Sequence, residues 1–187
     1  MKFVVGLGNP GRRYRDTRHN LGWWVLDDLA GVLDVGKEYE RWDSLVVDSD
    51  VVTLVKPLTY MNDSGRAVAQ VVRESGVALE QFLVVLDDLA LDLGTLRIRP
   101  SGSSGGHLGL ESVINCLGTD AFARLRLGIG PCPQSGDWRD YVLRPFEPAE
   151  LPVAERLAER GVQAVRCWLD GGVEEAMNRF NGPVEAP

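Results

Sequence analysis

The sequence predicts an α/β fold: a mostly parallel sheet covered on both faces by helices, with one hairpin. Three observations point there. Short apolar or β-branched runs alternate with segments of helical periodicity along the chain, which is the order that wraps helices around a sheet. Several of the runs, such as Phe3-Val4-Val5 and Phe82 to Leu86, are continuously apolar, as strands buried on both faces are. A chain of 187 residues, 44% hydrophobic and 25% charged, is long enough to bury a core without staples. With no internal repeat, low-complexity segment or linker, residues 1–187 read as a single domain.

The elements follow in order. Lys2 to Leu7 is a buried strand ending in glycines, followed by an arginine-rich loop from Asn9 to Arg18. From about Asn20 to Leu33, Leu21, Val25, Leu29 and Val32 recur at helical spacing, with Asp27 and Asp28 on the other face. Ser44 to Asp48 and Val51 to Val55 flank a turn-like Asp48-Ser49-Asp50 and form the hairpin, which ends at Lys56-Pro57. A helix from about Ser64 to Val77 turns Val68, Val71 and Val72 inward. Phe82 to Leu86 is a buried strand closed by Asp87-Asp88, and Leu96 to Arg99 alternates apolar and basic side chains as a half-exposed strand does. Ser101 to Gly106 is a loop feeding a helix from about Leu108 to Leu117, and Leu125 to Ile129 is a further strand. The tail carries an amphipathic helix from about Pro148 to Asp170 and a shorter one near Glu174 to Phe180.

Charge and composition exclude several classes of function. Twenty Lys and Arg against 27 Asp and Glu give a net charge of −7, unsuited to non-specific coating of nucleic acid. The excess is uneven: Lys2, Arg12, Arg13, Arg15 and Arg18 face only Asp16 in the first twenty residues, which leaves room for a local basic site. The longest apolar runs, such as Leu21 to Leu26, fall far short of the roughly 20 residues of a membrane span. No secretory signal follows Met1-Lys2, and Cys116, Cys132 and Cys167 are too few and too scattered for a disulfide framework or a zinc site. A soluble protein of the cytoplasm is the expectation.

Gly6-Leu7-Gly8-Asn9-Pro10-Gly11 formally matches the dinucleotide fingerprint, but Pro10 and Arg12-Arg13-Tyr14 argue for a loop where that site needs a helix. Asp27 and Asp28, near the required distance, fall on a helix, so no dinucleotide is expected. The glycines themselves read as a tight turn needing backbone freedom. Asn9 stands just beyond the first strand, His19 at the foot of the next helix, and Met61-Asn62 after the strand through Lys56-Pro57. Asp87 ends the Phe82 strand and His107 closes the loop after the Leu96 strand. If those strands run parallel, His, Asp and two Asn side chains meet on one rim, where open α/β sheets bind ligands.

That set suits hydrolysis by activated water. Neutral imidazole can take a proton from water, a carboxylate on its other nitrogen fixes the tautomer, and amides polarise the carbonyl under attack. The same residues also fit a capping or packing histidine and a turn-forming aspartate. No serine elbow or Walker loop is present to supply another nucleophile or a phosphate cradle. Gly102 to Gly106 could offer backbone N–H groups to an anion or be a mobile connector. Arg97 and Arg99, with Arg124 and Arg126, favour the phosphate reading.

These residues fall into blocks. Val5 to Gly11 with Tyr14 and Thr17 to Gly22, Lys56 to Asn62 with Ser64-Gly65, Asp87-Asp88-Leu89, Ser104 to His107 with Gly109-Leu110, and Arg124 to Gly130 resemble, in order and spacing, the bacterial peptidyl-tRNA hydrolases. The resemblance implies a single-domain α/β/α sandwich around a twisted mixed sheet. It also implies an esterase that frees tRNA from a peptide after abandoned translation, as a cytoplasmic monomer without metal or cofactor. By the same likeness His19 is the general base, Asp87 steadies its protonated form, and Asn9 contacts the peptide side, separating blocked from free aminoacyl-tRNA. Tyr14, Tyr60, Met61, Asn62 and position 108 line the substrate near the ester. Arg99 and Arg126 clamp the 5′ phosphate of the tRNA.

One departure matters. Where the family reads Gly-His-Asn-Gly, this chain has Gly106-His107-Leu108-Gly109, and leucine cannot hydrogen-bond. Losing one such contact costs roughly 1–3 kcal/mol of transition-state binding if nothing replaces it. Tyr60 where phenylalanine is common is a milder change. A catalytically weak or inactive RNA-binding relative of the same fold is the alternative, favoured by Leu108 and opposed by the intact His19 and Asp87.

Overall fold

A computed structural model describes residues 1–132 and 137–184. Its centre is one eight-stranded mixed sheet. The strands are β1 (Lys2–Gly6), β2 (Tyr39–Arg41), β3 (Ser44–Asp48), β4 (Val52–Pro57), β5 (Phe82–Asp92), β6 (Thr95–Arg99), β7 (Ala123–Gly130) and β8 (Gly182–Pro183). Their spatial order is β2-β3-β4-β1-β5-β7-β6-β8. The four central strands β4, β1, β5 and β7 run parallel, as the apolar runs predicted. Both flanks are antiparallel: β2-β3-β4 is the expected hairpin with an extra strand, and β6 pairs antiparallel with β7 and β8.

Strand alternation divides the core into two layers. On β1, Val4 faces one side and Phe3 and Val5 the other. The first side is covered by α1 (Leu21–Val32) and α5 (Leu151–Phe180), through Leu21, Val25, Leu29, Leu157 and Trp168. The second is covered by α2 (Ser64–Ser75) and α3 (Leu108–Leu117), through Val68, Val71, Leu110 and Val113. The short α4 (Trp138–Val142) precedes α5. At Gly172 (φ 81) α5 breaks, which is where the sequence divided the tail into two helices.

Three local differences from the sequence reading position the site. Asp87 and Asp88 do not close β5; the strand runs on to Asp92, with Asp87 and Asp88 buried inside it. The strand β6 runs against β7, so its carboxyl end at Arg99 lies beside Arg124 at the start of β7, away from Asp87. His107 reaches that rim because the Gly/Ser loop climbs back along the sheet before α3 descends. Finally, Gly6, Gly8 and Gly22 are there for close approach rather than for unusual φ. A Cβ on Gly6 would lie 2.6 Å from the Gly22 carbonyl oxygen, and one on Gly22 would lie 2.6 Å from the oxygen of Val85. In this stretch only Gly11 (φ 103) uses glycine's conformational freedom.

Candidate active site

The rim at the carboxyl ends of β1 and β4 is held together by asparagine. Asn9, just past β1, accepts the Met61 N–H on Oδ1 at 2.7 Å. Its own N–H donates to Asn20 Oδ1, and Asn20 Nδ2 donates back to the Asn9 carbonyl, both at 2.9 Å. The loops after β1 and β4 and the turn before α1 are thereby locked to one another. Because Oδ1 is spent on Met61, the Asn9 Nδ2 group points away from it and has no protein partner among the described residues. Asn20 was not singled out in the sequence. Its signal was weak, a second amide beside the histidine.

His19 sits in the single turn Arg18–Asn20 that feeds α1. Its Nδ1 lies 2.9 Å from both oxygens of Asp87, which is 1% exposed. On the other side His107 Nε2 lies 3.0 Å from Asp87 Oδ1, and the two imidazole centroids are 4.9 Å apart. Burial pushes the Asp87 carboxyl up, but the charges and hydrogen bonds of the two imidazoles outweigh it and hold the group below the usual carboxylate range. With Nδ1–H of His19 given to Asp87, its Nε2 keeps a lone pair and has no protein partner among the described residues. The pair faces a cavity of about 340 Å³ lined also by Leu89, Leu108, Trp138 and Val142. A water there would meet a base already held in one tautomer.

The turn that carries His19 is anchored from below. Arg18 is 3% exposed, and its guanidinium donates to the carbonyls of Tyr141, Arg144 and Pro145 and to Glu150 Oε2. It also lies over the rings of Tyr141 and Phe146. An arginine in a polar loop gave no hint of this interior role.

The remaining predicted residues separate into groups. Tyr14 meets Tyr60 edge-on at 6.4 Å and is half-buried with its hydroxyl accepting from Arg13, whereas Tyr60 is 57% exposed and Asn62 is exposed, open to a ligand. Leu108 is 39% exposed at the mouth of the cavity. The Met61 side chain is buried against Gly109 under α3, and its backbone N–H donates to Asn9. Trp138 and Val142, which help to close the cavity, belong to a short helix that the sequence reading missed.

The basic residues do not form one exposed cluster. Arg97 and Arg99 are exposed on β6, and Arg99 lies three residues down the ladder from Asp87, about 10 Å along the strand. Arg126 is committed: its Nε is 2.9 Å from Asp88 Oδ2, an ion-pair contact without hydrogen-bond alignment, and the backbone of Gly105 packs onto its guanidinium. Arg124 is internal. It donates to the carbonyls of Phe122, Gly102 and Asp120, stapling the Gly/Ser loop, and burial lowers its pKa to about 10, a cation at neutral pH all the same.

His19, Asp87 and His107 are the one group of side chains among the described residues spaced to hold a metal ion. Their hydrogen bonding does not fit that use. His107 Nδ1 accepts the Leu110 N–H at 3.1 Å, so the proton of the neutral ring sits on Nε2, aimed at Asp87 as a donor and not as a ligand lone pair. The glycine run after β1 likewise lacks dinucleotide geometry. Gly11 is followed by the single turn Arg12–Tyr14, and α1 begins only at Leu21. No helix among the described residues is long and apolar enough to cross a membrane.

The same arrangement of chain occurs in known proteins. The family described as peptidyl-tRNA hydrolase matches residues 3–187. A peptidyl-tRNA hydrolase of Moorella thermoacetica is 49% identical over 183 residues, covering 95% of this chain and 96% of that protein. One of Syntrophomonas wolfei is 43% identical over 185 residues, covering 97% and 100%. The crystal structure of the Acinetobacter baumannii peptidyl-tRNA hydrolase superposes with a TM-score of 0.89 at 30% identity, covering 97% of this chain and 96% of that one. A peptidyl-tRNA hydrolase crystallised with n-propanol gives 0.92 at 30% identity, covering 100% and 97%. With this likeness running along the whole chain, in sequence and in fold, the chain belongs to the peptidyl-tRNA hydrolase family.

Proposed function

We propose that this chain, acting as one domain over residues 1–187, hydrolyses the ester between a peptide or N-blocked amino acid and the terminal ribose of tRNA. It would do so as a monomer in the cytoplasm. The observation that carries the mechanism is the buried Asp87 against His19 Nδ1, which leaves Nε2 at the cavity as the base for water. As water attacks the ester carbonyl, Nε2 takes its proton and Asp87 stabilises the imidazolium. The same proton then serves the departing ribose oxygen. The free Nδ2 of Asn9 donates to a carbonyl on the peptide side, a contact that a blocked substrate offers and a free aminoacyl ester lacks. Tyr14, Tyr60 and Asn62 hold the substrate beside it. The tRNA acceptor end lies across the β6–β7 face, with Arg99 and Arg126 toward its 5′ phosphate.

The test is release of N-acetyl-amino acid from N-acetyl-aminoacyl-tRNA, with His19→Ala for comparison and free aminoacyl-tRNA as control. Cleavage of the blocked ester alone, abolished in the variant, supports the reading. Leu108 at the cavity mouth favours a second one, an RNA-binding relative with little turnover. Binding of the RNA without cleavage by the unmodified chain would decide for it.

A further inference from the structure

Asp87 serves two histidines, and the reaction above uses only one of them. His107 is fixed at both ends of its ring. Nδ1 accepts the N–H of Leu110 at 3.1 Å, which makes His107 the N-cap of α3. Nε2 therefore carries the proton and gives it to Asp87 Oδ1 at 3.0 Å. A backbone N–H cannot turn into an acceptor, so the direction of this hydrogen bond is set by the fold. Two residues on, Gly109 lies against Met61 so closely that a Cβ there would collide with the Met61 sulfur. Met61 in turn is held by Asn9. The start of α3 thus touches both halves of the site.

We infer that His107 is a positioning residue: it presents a fixed N–H to Asp87, holding the carboxylate in the orientation that keeps both its oxygens against His19. It acts through Asp87 and touches neither water nor ester. This inference rests on the proposed hydrolysis, since the rate is what the orientation serves. An unpinned Asp87 could rotate about its terminal torsion and give His19 one oxygen at a poorer angle. The charge would still stabilise the imidazolium, but the base would no longer be held in one pose.

Two conservative replacements divide the roles of the ring. His107→Asn places an acceptor where Nδ1 was, so α3 keeps its cap, but the side chain is too short to reach Asp87. His107→Gln places an N–H near the position of Nε2 and gives up the cap. On N-acetyl-aminoacyl-tRNA, H107N is expected to lose about tenfold in kcat, the scale of one charge-assisted hydrogen bond, with KM within about twofold and a melting temperature lower by only about 2–4 °C, because His19 still holds Asp87. H107Q is expected to melt lower and yet to recover at least half of the lost rate. The inference fails if H107N turns over like the wild type, if its loss is in KM, or if rate follows melting temperature across the three proteins.

A spectrum decides it without turnover. In the wild type, imidazole ¹⁵N correlations should show His107 protonated on Nε2 and bare on Nδ1, and the His19 Nδ1 proton should be resolved. That proton should broaden in H107N and return in H107Q. A His107 protonated on Nδ1, or a His19 proton indifferent to both replacements, overturns the inference. No turnover by the wild type would instead overturn the proposed hydrolysis and leave the spectrum to settle His107.

Discussion

Gly22→Ala places one methyl group where the start of α1 crosses the backbone of Leu7 and Val85, and two opposing effects can be weighed. Helix propensity favours alanine over glycine by up to about 1 kcal/mol, less in a first turn such as this. Against it, the new Cβ would lie 2.6 Å from the Val85 oxygen and 2.8 Å from the Leu7 oxygen. Both are backbone atoms of the central strands' rim and cannot rotate away. Overpacking against atoms that cannot yield costs about 1–3 kcal/mol, so destabilisation should win. Gly31 in the same helix is the control: it is exposed and a Cβ there meets nothing within 4 Å. Gly31→Ala should therefore show the propensity gain alone. For a chain of this size each kcal/mol moves the melting temperature by about 2–4 °C. Thermal unfolding should put Gly22→Ala about 3–10 °C below the wild type and Gly31→Ala about 1–4 °C above it. Gly22→Ala should also lose turnover, because the helix start carries His19 three residues upstream. A Gly22→Ala protein as stable and active as the wild type would refute the close-approach account of these glycines.

Further outcomes follow from the same geometry. Asp87→Asn should lower kcat by about 10²–10⁴-fold while tRNA binding persists, because an amide turns an N–H toward one of two ring donors and cannot stabilise imidazolium; single-turnover cleavage and filter binding check the two halves. Asp87 titrates below its ordinary 3.8 in the fold, so the unfolded chain binds the extra proton first. Its contribution to stability is present above that value and lost as pH falls from it toward the folded one, and acid-unfolding curves of Asp87→Asn should lack this component. Arg99→Ala should weaken tRNA binding and reduce its salt dependence by about one phosphate contact, without changing melting temperature. Arg126→Ala should do so too, but at a stability loss of about 1–3 kcal/mol, because it strands the buried Asp88. Leu108→Asn should raise kcat/KM by about fivefold or more with little change in stability, since Leu108 is 39% exposed; a fall would show that the pocket is packed around leucine.

The parallel centre of the sheet was legible because its strands are apolar on both faces, and α3 was placed from Leu108 to Leu117 as found. The elements that were missed are the ones that hydrophobicity does not mark. Tyr39–Arg41 is exposed throughout, Gly182–Pro183 is two residues long, and α4 is five. The end of β5 was misread for a physical reason. Two carboxylates look like a strand stop because burying them unpaired is prohibitive, and only the fold reveals that His19, His107 and Arg126 wait for them. Candidate site residues were legible as types: His19 and Asp87 meet, and Asn9 is tied to the His19 turn through Asn20. Which arginines are free could not be read, because alternation on β7 gives Arg124 and Arg126 the same pattern as Arg97 and Arg99 while one pair lies under the Gly/Ser loop and the other lies open.

The anchoring of Arg18 bears on how the protein is made. The turn of Arg18 and His19 is encoded early, and the carbonyls and carboxylate that grip it lie 123 to 132 residues later. Synthesis proceeds from the N-terminus at about 5–20 residues per second. For many seconds the emerging polypeptide therefore carries His19 on a turn with nothing beneath it. Only when Glu150 has cleared the ribosome can the guanidinium find its partners and the histidine settle, so the segment from Tyr141 to Glu150 sets the moment at which the protein becomes an enzyme.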